Sequence, residues 1–250
     1  MLAISYIGTN MISPGKAVVN TSVRGLREGN ALPREKIQYQ NRPGGGHPVG
    51  GMHQIGPADK RQAILEAAQR VFAESGFHTS TMDAVADAAG VAKGTIYLYF
   101  KSKNELLTEL MDDRTDKLTR MLVAGVEAEP DVRGKLKALI VAHFDFYARE
   151  REFMLLLSRQ LGLLSPELAS RVVQGTAFLT NLTQSIIEEG VSAGVVSGSF
   201  DSVRLTYALL GMVHAVAYQW LASGMRANAA DVADQVYMLF ASGVLHARDQ

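Results

Sequence analysis

The sequence predicts an all-α protein with a small N-terminal helix-turn-helix domain and a larger helical body. Three observations lead there. From Asp59 onward, apolar residues recur at three- and four-residue steps. Glycine, proline and capping residues fall where those runs end. No convincing segment alternates apolar and polar residues as a half-buried strand does. The chain has 250 residues, 47% hydrophobic and 20% charged, enough to bury a substantial core. It has no cysteine, which excludes disulfides and thiolate metal sites and fits a reducing, cytoplasmic setting.

The formal net charge is zero, but the charges are unevenly spread. Residues 1–56 hold six Lys/Arg against two Asp/Glu, a net of +4; residues 57–103 hold six against five, +1; residues 104–250 hold thirteen against eighteen, −5. The basic part is N-terminal. Residues 1–56 read as a disordered extension, because the run Pro43-Gly44-Gly45-Gly46-His47-Pro48-Val49-Gly50-Gly51 breaks any period and apolar residues are scattered. That glycine run is no phosphate loop, since no strand precedes it and no Lys-Ser/Thr pair follows. Met52 stands just before the first patterned segment, which leaves open a later start with residues 1–51 as upstream sequence. No charged, apolar leader with a cleavage site opens the chain.

The first helix begins at about Asp59 and buries Ile64, Ala67, Ala68, Val71 and Phe72. It stops near Ser75-Gly76, with Gly76 expected in a left-handed closing conformation. Ser80 or Thr81 caps a short helix over 82–88, Ser80-x-x-Asp83 having capping-box spacing, and Met82, Val85 and Ala86 face inward. Ala89-Gly90-Val91 is a tight turn. A third helix runs from about Ala92 to Tyr99, with Ile96 and Phe100 on one face and Lys93, Thr95, Tyr97 and Lys101 toward the other. A fourth starts at Ser102, where Ser102-x-x-Glu105 is a full capping box, and continues past residue 120. Further helices span about 131–149, 151–161, 166–193, 201–223 and 230–247, with Ser165-Pro166 as a cap followed by proline at the first helical position. Leu205 to Met225 is uncharged and long enough to span a bilayer, but His214, Gln219, Thr206 and two glycines favour a helix buried in a core or dimer interface.

Two short helices joined by a glycine turn, the second polar and basic outside, make a helix-turn-helix that presents its second helix to the major groove. The motif is Ile64-Leu65-x-Ala67-Ala68-x-x-x-Phe72-x-x-x-Gly76-Phe77, Ser80-Thr81-Met82-x-x-Val85-Ala86-x-x-Ala89-Gly90-Val91, Lys93-Gly94-Thr95-Ile96-Tyr97-x-Tyr99-Phe100 and Ser102-Lys103-x-x-Leu106-Leu107. Over residues 60–107 it resembles the DNA-binding domain of the TetR family of transcriptional regulators, with four elements in order. The resemblance implies a head at 57–103, a helical effector-binding and dimerisation body at 104–250, and DNA contacts from the third helix and the turn before it. Leu98 stands where many relatives carry a polar or aromatic residue and Ala92 where a serine is common, which shifts the expected base readout toward apolar contact.

Physical roles follow for single residues. Thr81 offers a hydroxyl and an amide at a helix N-terminus, for capping, for phosphate, or for both. Lys93, Lys101 and Lys103 are candidates to neutralise phosphates, against the plain alternative of solvated lysines. Gly94 lets backbone approach the groove, or is simply a turn glycine. Thr95 is placed to meet a thymine methyl or a base edge. Tyr97 and Tyr99 have hydroxyls that reach phosphate, with burial as the competing account for Tyr99. Ile96, Phe100, Phe72 and Phe77 form the small core of the head.

In the body, Leu209, Leu210, Val213, Val216, Ala217 and Trp220 on one helix and Val232, Val236, Met238, Leu239 and Val244 on the next predict a four-helix dimer seam, with an intramolecular core as the rival claim. His143, Tyr147, Asn181 and His214 are the polar candidates for a partly apolar small-molecule effector, lone helical histidines being more often structural. The expected partners are double-stranded DNA with a two-fold symmetric operator, a second copy of the chain and that effector, with no membrane and no cofactor. The resemblance implies a repressor in which effector binding moves the fourth helix and spoils the spacing of the two heads. An enzyme is disfavoured because no cysteine nucleophile, H-E-x-x-H or G-x-S-x-G is present. A helical interaction protein without DNA binding is the remaining alternative.

Overall fold

The computed structural model describes residues 56–160 and 166–246, with side chains outside 159–175. The predicted extension up to residue 55, the Ser165 cap and residue 247 of the 230–247 helix lie outside the described residues. Among those described, the elements are α1 (Pro57–Ser75), α2 (Met82–Ala88), α3 (Lys93–Tyr99), α4 (Lys103–Glu127), α5 (Val132–Arg149), α6 (Arg151–Gln160), α7 (Pro166–Ser192), α8 (Ser202–Ala222) and α9 (Ala229–Val244). The fold is all-α, an N-terminal helix-turn-helix followed by a helical body. No described helix is long and apolar enough to cross a membrane.

Capping chemistry sets most helix starts. Ser102 accepts from the Glu105 amide at 3.1 Å, Asp131 from Gly134 at 2.8 Å and Asp201 from Arg204 at 2.9 Å. The α2 start falls where the sequence places it, and the structure decides between the two candidate caps. Thr81, not Ser80, takes the Ala84 amide at 3.1 Å, while the Ser80 hydroxyl turns back to the Phe77 carbonyl at 2.8 Å and Asp83 pairs with Lys93. Gly76 closes α1 at φ 80° and ψ 148°, a positive φ but not the left-handed helical region expected. That extended positive-φ conformation is open essentially to glycine alone.

The head is α1 packed on α2 and α2 on α3 around Ile64, Leu65, Phe72, Val85, Ile96 and Phe100, all buried. Phe72 meets Phe77 edge to face at 5.3 Å, so the predicted head core is found. In the body α5 is central, touching α4, α6, α7, α8 and α9. Its Leu136, Leu139, Ile140 and Phe144 are fully buried.

Two expectations change here. The last helix ends at Val244 because the chain turns extended at Leu245: Ser197 N–H donates to the Val244 carbonyl at 2.8 Å, and His246 N–H to Val195 at 3.0 Å. A second correction concerns the seam. Leu209, Leu210, Val213, Ala217, Trp220, Val232 and Val236 are buried within their own chain, and Val216 and Val244 are half-buried. Of the residues predicted for the seam, Met238 and Leu239 on α9 stay open, at 65% and 66% exposure, and Val203, Tyr207 and Tyr218 on α8 are exposed apolar residues that the prediction did not include.

Candidate nucleic-acid interface and effector site

The outer face of α3 is built by what lies beneath it. Ile96 and Phe100 anchor the helix, which turns Tyr97 and Leu98 outward at 50% and 78% exposure. Lys93 and Gly94 are exposed at its first turn, while Thr95 and Tyr99 are half-buried along its flanks. Thr81 is exposed at the α2 N-terminus. The Lys93 ammonium bonds Asp83 on α2, which ties the two helices of the motif together and raises its affinity for the proton. Lys101 is exposed, and its amide donates to Glu105 Oε2 at 2.7 Å; the acid of the predicted capping box reaches one residue further back than the box requires.

Lys103 differs from the other lysines. Its ammonium donates to the carbonyls of Ser80 at 2.7 Å and His78 at 3.0 Å, and lies 4.8 Å from the Phe77 ring centroid. It clamps the first residue of α4 onto the segment leading into α2. Gly94 is informative for the opposite reason: nothing lies within 4 Å of where a Cβ would stand, and its backbone needs no positive φ. Nothing among the described residues calls for glycine in a helix at that position, so the bare backbone faces outward without a cause in them.

Sequence reasoning missed the polar joint between head and body. Arg114 of α4, 4% exposed, donates through Nε to Gln69 of α1 at 2.7 Å and lies 3.1 Å from Glu150. Its Nη1 bonds Asp113 at 2.7 Å, and Lys117 closes on the other oxygen of Glu150. Glu150 is itself 4% exposed, at the end of α5. A signal was present: Arg114 occupies an apolar-stripe position in step with Leu107, Leu110, Met111 and Leu118. An open, charge-balanced depression of about 600 Å³ adjoins this joint, lined in part by Glu66, Arg70, Arg120 and Glu152. It is not the partly apolar site that the sequence predicts.

Three of the four effector candidates come together as a ring cluster. His143 and Tyr147 lie one turn apart on α5, their rings 6.3 Å apart, with His214 of α8 at 6.3 Å from the first and 6.5 Å from the second. Phe144 and Trp220 meet edge to face at 5.9 Å, with Phe144 also against Tyr147. Asn181 is exposed on α7 and joins none of these ring contacts. Burial pushes the Tyr147 hydroxyl up and the His143 imidazole down to about 4, from an ordinary 6.5. His214 keeps an exposed surface, yet the dense packing around its ring lowers it too.

This has a measurable consequence. As pH falls, the unfolded chain takes up a proton at His143 before the folded chain does. The contribution is therefore intact above pH 6.5 and is lost as pH drops toward about 4, at about 1.4 kcal/mol per pH unit. Urea unfolding at pH 7 and pH 5 is expected to show about 2 kcal/mol of stability lost through this ring. His143→Phe should remove that share, and an unchanged pH slope in the variant would refute the assignment.

Two family models match the chain. One, described as bacterial regulatory proteins of the tetR family, covers residues 64–110. The other, described as the tetracyclin repressor-like C-terminal domain, covers residues 129–244. The fatty acid metabolism regulator protein of Bacillus subtilis (strain 168) is 25% identical over 185 residues, 74% of this chain and 95% of that protein. The fatty acid degradation regulator FadR from Bacillus halodurans superposes with a TM-score of 0.69 at 27% identity, covering 75% of this chain and 96% of that one. FadR from Bacillus subtilis, solved in complex with stearoyl-CoA, gives a TM-score of 0.66 at 25% identity, covering 74% and 99%. The two matched regions follow one another as head and body and together take in more than half of the residues. The chain thus belongs to the TetR family, DNA-binding transcriptional regulators and not enzymes.

Proposed function

We propose that the chain is a homodimeric repressor. Two α3 helices read a two-fold symmetric operator, and a long-chain acyl-CoA releases them by binding the body. The observation that carries the DNA-reading half is the outer face of α3, where exposed Tyr97 and Leu98 and an internally unneeded Gly94 stand over a fully anchored underside. Lys93 and Lys101 supply phosphate contacts, Thr81, Tyr97 and Tyr99 further backbone contacts, and Thr95 a base contact. Lys103 acts at the same surface chiefly by holding the head together.

Dimerisation is supported by the open apolar face of α8 and α9, which in a lone chain would leave two tyrosines, a methionine and a leucine in water. The effector class rests on the similarity to a fatty acid metabolism regulator of Bacillus subtilis and to the solved FadR of Bacillus subtilis in complex with stearoyl-CoA. Release is a population shift: the effector favours the arrangement that misplaces the heads, with a coupling of about 1–3 kcal/mol.

Selection of bound fragments from random duplex, followed by retardation of the selected sequence with and without palmitoyl-CoA, tests the whole reading. A palindromic consensus that palmitoyl-CoA releases is the expected result; no enrichment at low salt would refute it. Two variants examine the interface itself. Gly94→Ala is expected to stabilise the fold by about 0.5 kcal/mol while weakening operator binding, opposite signs that a plain turn glycine would not give. Lys101→Ala should weaken all duplexes alike and reduce the log-log salt slope by about 0.9.

A further inference from the structure

The buried His143 ring has one nitrogen accounted for and one not. Its Nδ1 lies 2.8 Å from the Leu139 carbonyl oxygen, one turn back on α5. A carbonyl oxygen has no proton to give, so the ring donates through Nδ1 and Nε2 is left as a bare lone pair. Among the described residues that nitrogen has no hydrogen-bond partner, although His143 is only 1% exposed. An unsatisfied buried acceptor is costly, and its persistence calls for a partner that arrives from outside. Beside the ring stand those of Tyr147 and His214, with Phe144 against Tyr147 and Trp220 against Phe144, an aromatic setting suited to an apolar chain near its polar end.

We propose that His143 Nε2 receives the polar junction of the effector, and that the effector therefore presents a hydrogen-bond donor there, a hydroxyl or an amide N–H; the proposal rests on the effector-responsive reading above. The chemistry is selective. A thioester carbonyl and an ionised carboxylate are acceptors only and leave Nε2 unsatisfied, whereas a hydroxyl on an acyl chain or an amide N–H of a pantetheine arm satisfies it. Since burial keeps the imidazole neutral near pH 7, the ring offers no charge to a bare carboxylate. A site built around a hydrogen bond discriminates against ligands that cannot complete it.

The test uses the full chain labelled with ¹⁵N-histidine and three probes: hexadecanoic acid, 3-hydroxyhexadecanoic acid and palmitoyl-CoA. With six histidines in the chain, the His143 Nε2 resonance is identified by its loss in His143→Phe. Without probe it should stand at the position of an unbonded lone-pair nitrogen. It should move upfield with 3-hydroxyhexadecanoic acid if a hydroxyl is the donor, or with palmitoyl-CoA if the pantetheine amide is, and stay in place with hexadecanoic acid. His143→Phe should weaken the effective probe about tenfold, and His143→Gln, which keeps an acceptor oxygen, should recover part of that loss. A resonance already bonded in the probe-free protein would mean a buried water or a neighbouring donor fills the place, and overturns the proposal. So does an equal response to hexadecanoic acid, or no response to any probe. DNA release separates the two readings: release without a shift keeps the effector role and rejects the His143 contact, and a shift without release does the reverse.

Discussion

Arg114→Met is expected to lower the unfolding free energy by about 3 kcal/mol, the low end of the range for stranding one member of a buried ion pair. Glu150 would keep Lys117, whose side chain is 38% exposed, but lose the guanidinium beside it. Gln69 would lose the donor that joins α1 to α4. For a domain whose whole stability is about 5–15 kcal/mol, that is a large share. Urea unfolding of Arg114→Met, Glu150→Leu and the double variant measures it. The two single losses should together exceed the double loss by about 1–3 kcal/mol, because either change alone already breaks the shared contact. Additive losses would show that the charges do not act as a unit. The pair joins α4 to the end of α5, and the same guanidinium holds Gln69 on α1 of the head, so weakened repression at equal protein level should accompany the lost stability.

The second large effect concerns assembly. Replacing Met238 and Leu239 together by glutamate puts two charges on the open face of α9 without touching the chain's own core, because both side chains are about two-thirds exposed. Sedimentation should then report a monomer with an unchanged fold. Affinity for a two-half-site operator should drop by about 10²–10⁴, the advantage of linking two weak heads, while affinity for a single half-site stays the same. An intact dimer after this change would move the interface elsewhere.

Most of the fold is legible in the sequence because helix ends are written in local chemistry. Ser102, Asp131 and Asp201 are side chains that can satisfy an orphan amide, and each stands one residue ahead of a helix. Where two such residues adjoin, as at Ser80 and Thr81, the pattern does not choose between them; the Phe77 carbonyl decides by claiming the first. The end of α9 is not legible in the sequence because the bonds that stop it come from Val195 and Ser197, some fifty residues away, which no local window contains.

The candidate sites divide the same way. On α3 the buried pair Ile96 and Phe100 fixes by period alone which residues look outward. On α8, apolar residues lie nearly all round the helix, so period does not separate the side that meets its own chain from the side left for a partner; that took the packing of α5 and α9. Arg114 was hidden for a simpler reason: its partners Gln69 and Glu150 are distant in sequence, and only their meeting makes a charge at an apolar position sensible.

The Lys103 clamp carries a consequence for how an inducer is felt. Because the first side chain of α4 grips two carbonyls just ahead of α2, tilting α4 carries the whole reading unit along as one solid piece and does not bend it. Induction should then be blind to sequence, with strong and weak operators loosened by a common factor and their ranking preserved.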